Sequence, residues 1–204
     1  MTYVEPLALY LTLYRHVNGL GASVVFPGSY PNYTHTFTAS SQDIIARSEL
    51  YLSVEKPDRG HGEAFNTADN DIPASWALVW PKMCEYFGLR GEGPSPEDKG
   101  WKDIDKWWFA HQDDYKKMCK KYGLRYREIP EATWTFLSVG LSFLCRNREL
   151  SLDKIRSVGF TEEYPIAYGY FQVFECLSQE KIIPAKEDLY RYGVAEKGNL
   201  GMSL

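Results

Sequence analysis

The chain is poor in cysteine: Cys84, Cys119, Cys145 and Cys176 stand more than twenty residues apart, and no CxxC pair occurs. That spacing excludes a zinc knuckle and a disulfide framework and points to reduced thiols in a cytoplasmic protein. The four histidines, His16, His35, His61 and His111, show no metal-ligand spacing either, so no metal ligand is assigned. No GxGxxG or GxxGxxG turn, P-loop or GxSxG elbow is present. A dinucleotide pyrophosphate, a triphosphate and a serine nucleophile all lack their usual cradle, and no cofactor or cofactor-binding residue is expected. Charge of one sign is also missing as a block: 23 Lys and Arg face 27 Asp and Glu for a net charge of −4, which removes nucleic acid and anionic membrane as partners. The opening MTYVEPLALYLTLYRHV is interrupted by Glu5, Pro6 and Arg15, short of the ~20 apolar residues of a membrane span, and has no basic n-region of a signal peptide.

Aromatics are abundant. Fifteen Tyr, ten Phe and six Trp can furnish a core with some left over for a pocket or an interface, and 204 residues suit one domain of ordinary size. Leu7, Leu9, Leu11, Leu13 and Val17, with Tyr10 and Tyr14, make the first helix apolar nearly all round, and Asn18-Gly19 ends it. Ala22–Phe26 reads as a short strand, Ser29–Thr38 as a turn-rich stretch, and Ser40 or Ser41 as the cap of a helix to about Val54 with Ile44, Ile45, Leu50, Tyr51 and Val54 on its apolar face. Glu63–Thr67 reads as a strand. Helices are predicted over Trp76–Phe87, Trp101–Tyr122, Pro130–Cys145, Ser151–Val158 and Tyr164–Glu180. The outcome is a mainly helical α+β chain with two or three short strands and no complete Rossmann sheet, arranged as one unit over residues 1–184. A flexible connection is expected near 91–100 and a polar tail over 185–204.

The segment TWTFLSVGLSFLC carries most of the functional signal. Trp134, Phe136, Leu137, Val139, Leu141, Phe143 and Leu144 cover every side of a helix, which makes it either central core or the wall of an apolar cavity. His35 stands in a polar but aromatic segment, where a neutral imidazole can act as acid or hydrogen-bond donor. The acidic turn Asp69–Asp71 reads as an Asx turn rather than a cation site, and YPIAYGY as a helix N-terminus with packing tyrosines.

Several motifs recur in an order and spacing that resemble the carboxyl half of the progesterone 5β-reductase and iridoid synthase type of short-chain dehydrogenases, and more closely their fungal relatives. They are LALYLTLYRHVNG, the FPG turn, SQDIIAR, AFN, VGFTEE and KIIP, spread over about Val4 to Pro184. The resemblance implies that the Rossmann half, with its NADPH turn and its catalytic tyrosine and lysine, lies ahead of this region. It also implies that the substrate-facing elements are the first helix, the turn at His35–Thr38 and the helix from Trp134, around a cavity for terpenoid or steroid enones. Thr36-Phe37-Thr38 departs from the family, where an acidic residue is usual. Glu63–Thr67 would lie at the edge of the Rossmann sheet, so a homodimer or another partner is expected to cover that edge and the first helix, unless the chain has repacked.

From this follows the expectation of a redox-independent cyclase or isomerase, pericyclic chemistry of Diels-Alder type included, acting on an apolar terpenoid or polyene in fungal specialised metabolism. Tyr10, His35 and Thr36 would be its hydrogen-bond donors, and Tyr14, Phe37, Trp134, Phe136, Leu137 and Leu141 its substrate-binding residues. The alternatives are a truncated or split NADPH-dependent enone reductase and a non-catalytic module that binds a hydrophobic ligand.

Overall fold

The computed structural model describes residues 4–98 and 103–191. Helix α1 (Val4–Asn18) lies at the centre, with Leu7, Leu9, Leu11 and Leu13 fully buried. A helix apolar on all sides must be enclosed on all sides, and this one packs against three later helices, α7 (Gln112–Tyr122), α8 (Glu131–Phe143) and α10 (Tyr168–Gln179). Its polar exceptions are satisfied internally: the Thr12 hydroxyl donates to the Ala8 carbonyl at 2.7 Å, and the buried Arg15 guanidinium donates to the Leu189 carbonyl at 2.7 Å. The expectation that a partner or second copy covers this helix is therefore corrected, because the chain's own helices already do so. The Arg15 contact also corrects the reading of a loose tail from 185. Residues 186–191 are helical, Leu189 is buried, and the Tyr190 hydroxyl donates to the Glu85 carbonyl; the rest of the expected tail lies outside the described residues.

Strands form two separate pairs. β1 (Ser23–Val25) runs parallel to a strand over Arg90–Glu92, and β2 (Thr36–Phe37) runs antiparallel to β3 (Ala74–Ser75), with Thr36 opposite Ser75. Two short parallel strands are not stable alone; this pair is backed by α5 (Trp76–Tyr86), whose buried Trp80 donates its indole N–H to the Val24 carbonyl at 3.1 Å. The second strand of the pair, β4 (Arg90–Glu92), passes so close to this helix that a Cβ on Gly91 would lie 2.9 Å from both Pro81 Cα and Trp80 Cδ1. Part of the connection read as flexible, 91–100, is thus a packed strand, and residues 99–102 lie outside the described region.

Several predicted boundaries move for identifiable reasons. Glu63–Thr67 forms no strand. Its backbone is held by side chains instead: Lys154 donates to the Ala64 carbonyl at 2.8 Å and Ser40 to the Thr67 carbonyl at 2.7 Å, so this chain supplies partners at the edge assigned to another. Helix α3 (Gln42–Leu50) starts at the predicted Ser41 cap, then widens into a π-helix over Tyr51–Glu55. The larger turn shifts the face beyond Leu50 and leaves Val54 exposed; within the regular helix Ile44 is buried, while Ile45 and Leu50, also predicted on the apolar side, are exposed. Helix α4 (Pro57–Gly60) is a single turn. The predicted Trp101–Tyr122 helix is two, α6 (Ile104–Ala110) and α7, broken at His111, whose ring stacks on Trp107 at 4.3 Å. Short helix α9 (Asp153–Ser157) falls within its predicted span. The last predicted helix begins at Tyr168 rather than Tyr164, because Ala167 adopts the left-handed conformation at φ 75°. Among the described residues, no helix is long and apolar enough to cross a membrane.

The Asp69–Asp71 turn serves as a structural junction. Asp69 Oδ1 accepts from the Ser41 N–H at 2.8 Å and its hydroxyl at 2.6 Å, while the Asp69 carbonyl accepts from the Tyr164 N–H at 2.6 Å. The same Ser41 oxygen caps α3 by accepting from the Ile44 N–H. Asp69→Ala should therefore cost about 1–3 kcal/mol by leaving these buried donors unpaired, against about 1 kcal/mol for the cap lost in Ser41→Ala. Urea midpoints of the two variants check this; an Asp69→Ala midpoint equal to the parent's would refute the junction.

Candidate functional site

Helix α8 carries no charged side chain from Ala132 to Cys145, and the structure divides it into two faces. Trp134, Leu137 and Leu141 point inward and are fully buried or nearly so, with Trp134 against Trp108 at 4.4 Å. The opposite side bears Phe136, Val139 and Phe143, exposed by 41%, 42% and 62%, and Leu144 at 42%. The core reading holds for one side of this helix, and the other side is exposed. Between the exposed side chains sits Gly140, where a Cβ would meet nothing within 4 Å and the backbone is not left-handed. A glycine inside a helix costs about 1 kcal/mol relative to alanine, and nothing packed against it in this chain calls for it.

The end of α8 is fixed by the turn after β1. The last carbonyls of a helix have no partners within it; here they receive donors from the FPGSYPN segment, part of which forms α2 (Tyr30–Thr34). The Ser29 N–H donates to the Leu141 carbonyl at 3.2 Å and its hydroxyl to the Ser142 carbonyl at 2.8 Å. Asn32 Nδ2 donates to the carbonyls of Gly140 and Leu141 at 3.0 and 2.9 Å. Gly28 admits this approach, since a Cβ there would stand 2.2 Å from the Leu141 oxygen.

The predicted donors have different neighbours. His35 Nδ1 donates to the Pro31 carbonyl, so this ring nitrogen is already engaged within the turn. The Thr36 hydroxyl donates to the Glu149 carboxylate, and the Thr36 carbonyl accepts from the Arg148 N–H at 2.9 Å. Phe37 is buried between Trp76, at 5.7 Å, and the Arg148 guanidinium over its other contact surface, also at 5.7 Å. Tyr10 belongs to an aromatic group with Tyr14 of α1 and Trp107 of α6, at centroid distances of 5.8 and 5.2 Å. Burial first, then the neighbouring Tyr14 and Cys84, pushes its phenol well above the ordinary tyrosine range, so it stays protonated and can only be a neutral donor or acceptor. Tyr14 donates to the Ser23 carbonyl at 2.8 Å, and burial raises its pKa as well. The structure thus gathers Tyr10 with Tyr14, and His35, Thr36 and Phe37 with the 147–149 segment. Trp134, Leu137 and Leu141 lie in the core, and Phe136 faces outward. Sequence reasoning did not separate Val139 and Phe143 as outward-facing residues and passed over Ser29 and Asn32 as the clamp. The 136, 139, 143 spacing is a readable second stripe; the clamp, joining segments more than a hundred residues apart, has no local signal.

Two further features bear on ligand binding. A cleft of about 270 Å³ opens where α1 and α8 begin, lined by Glu5, Leu9, Arg127, Pro130 and Thr133 and spanned by an ion pair between Glu5 and Arg127. The strand–Gly–helix turn at β1 has the form of a phosphate cradle, but α8 fills it. Ser29 accepts from the Asn32 N–H, and Gly28 and Ser29 face the carbonyl end of α8, whose partial negative charge opposes a phosphate. The described residues at this turn do not fit a nicotinamide dinucleotide.

Among the described residues the strands form isolated pairs in a mainly helical α+β chain, and together with the motifs set out above this defines part of a short-chain dehydrogenase-type protein. The PRISE-like Rossmann-fold domain matches residues 2–184, and the chain belongs to that family. It is 51% identical over 184 residues to the short chain dehydrogenase ausT of Aspergillus calidoustus, covering 90% of this chain and 44% of that protein. It is 24% identical over 166 residues to the (S)-8-oxocitronellyl enol synthase of Catharanthus roseus, with 78% and 39% covered, and 26% over 162 residues to the 3-oxo-Delta(4,5)-steroid 5-beta-reductase of Arabidopsis thaliana, again with 78% and 39% covered. The chain spans less than half the length of these relatives. The resemblance drawn from the motifs is borne out.

Proposed function

We propose that this chain holds an apolar, terpenoid- or steroid-sized molecule on the outward face of α8, as the substrate region of a short-chain dehydrogenase-type enzyme. The observation that carries the reading is the uncharged and exposed face of Phe136, Val139 and Phe143, on a helix whose other side is core. The names of the relatives, a steroid reductase and an oxocitronellyl enol synthase, are in keeping with such a substrate. Any reduction would need a nucleotide seated on residues other than those at the β1 turn. Redox-independent cyclisation or isomerisation of the same molecule is the second reading, favoured by the β1 turn, which the end of α8 fills and which does not fit a dinucleotide.

Equilibrium binding of progesterone and of farnesol to the parent and to Phe136→Ser tests the first claim. Saturable binding weakened at least tenfold in the variant supports it; absence of saturable binding in the parent defeats it. Incubating a linear polyene enal with the chain, with and without NADPH, separates the two chemistries. Cyclised product without nucleotide favours the second reading, and turnover confined to the NADPH arm favours the first.

A further inference from the structure

No further inference is drawn: the strongest candidate, the segment over residues 64–68 beside α3, whose backbone N–H groups find no acceptor among the described residues, carries nothing because nothing in the structure shows what covers it.

Discussion

Replacing Gly28 with alanine should lower the stability of the fold by about 3 kcal/mol or more, at the upper end of what overpacking costs. The new Cβ would stand 2.2 Å from the Leu141 oxygen and 2.5 Å from Phe26 Cε1. Neither neighbour can yield cheaply. The first is helix backbone already accepting from Ser29 and Asn32, and Phe26 is fully buried with its ring against Trp76 and Trp80. The turn must separate from α8 and release its carbonyl cap. Since domains are stable by only about 5–15 kcal/mol, the variant should unfold at a far lower urea concentration, and any folded fraction should show α8 frayed at its C-terminal end in amide exchange. A loss below about 1 kcal/mol would mean that the clamp is looser than described. Asn32→Ala, which removes two donors without adding bulk, should cost less, about 1–3 kcal/mol.

The second large effect is expected at Trp80. This side chain is fully buried, touches Phe26 edge-on at 5.5 Å, packs where Gly91 lets β4 approach, and is bonded to the Val24 carbonyl of β1. It therefore joins both strands of the parallel pair to the helix that crosses between them. Trp80→Ala should cost about 3–5 kcal/mol. Trp80→Phe keeps much of the volume and loses the indole donor, and should cost about 1–3 kcal/mol, the value of a carbonyl left short of a partner. Chemical denaturation of the two variants separates packing from hydrogen bonding. Equal losses would show that the bond to Val24 is what matters and the volume is not.

How much of the site was legible depends on how local each feature is. The all-apolar first helix, the Ser41 cap and the uncharged 132–145 segment could be read directly, because apolar periodicity and capping chemistry act within a few residues. The strand assigned to Glu63–Thr67 shows the opposite case. A run with β-type residues forms a strand only where a partner edge exists, and here lysine and serine side chains reach its carbonyls first. The face of α3 was misjudged beyond Leu50 because a π-turn changes the angular step, and no residue type announces it.

The amino-acid order alone determined that this is a mainly helical α+β chain of the progesterone 5β-reductase and iridoid synthase type, with a first helix that had to be enclosed and a second that carries no charge over 132–145. Tertiary structure alone decided which side of that second helix is core and which is open. It also decided that Gly28 makes room for a helix end instead of a phosphate, and that Tyr10, His35 and Thr36 have separate sets of neighbours. The reason is physical: helix propensity and apolar pattern are sums over nearby residues, whereas the direction a face takes depends on contacts between segments a hundred or more positions apart.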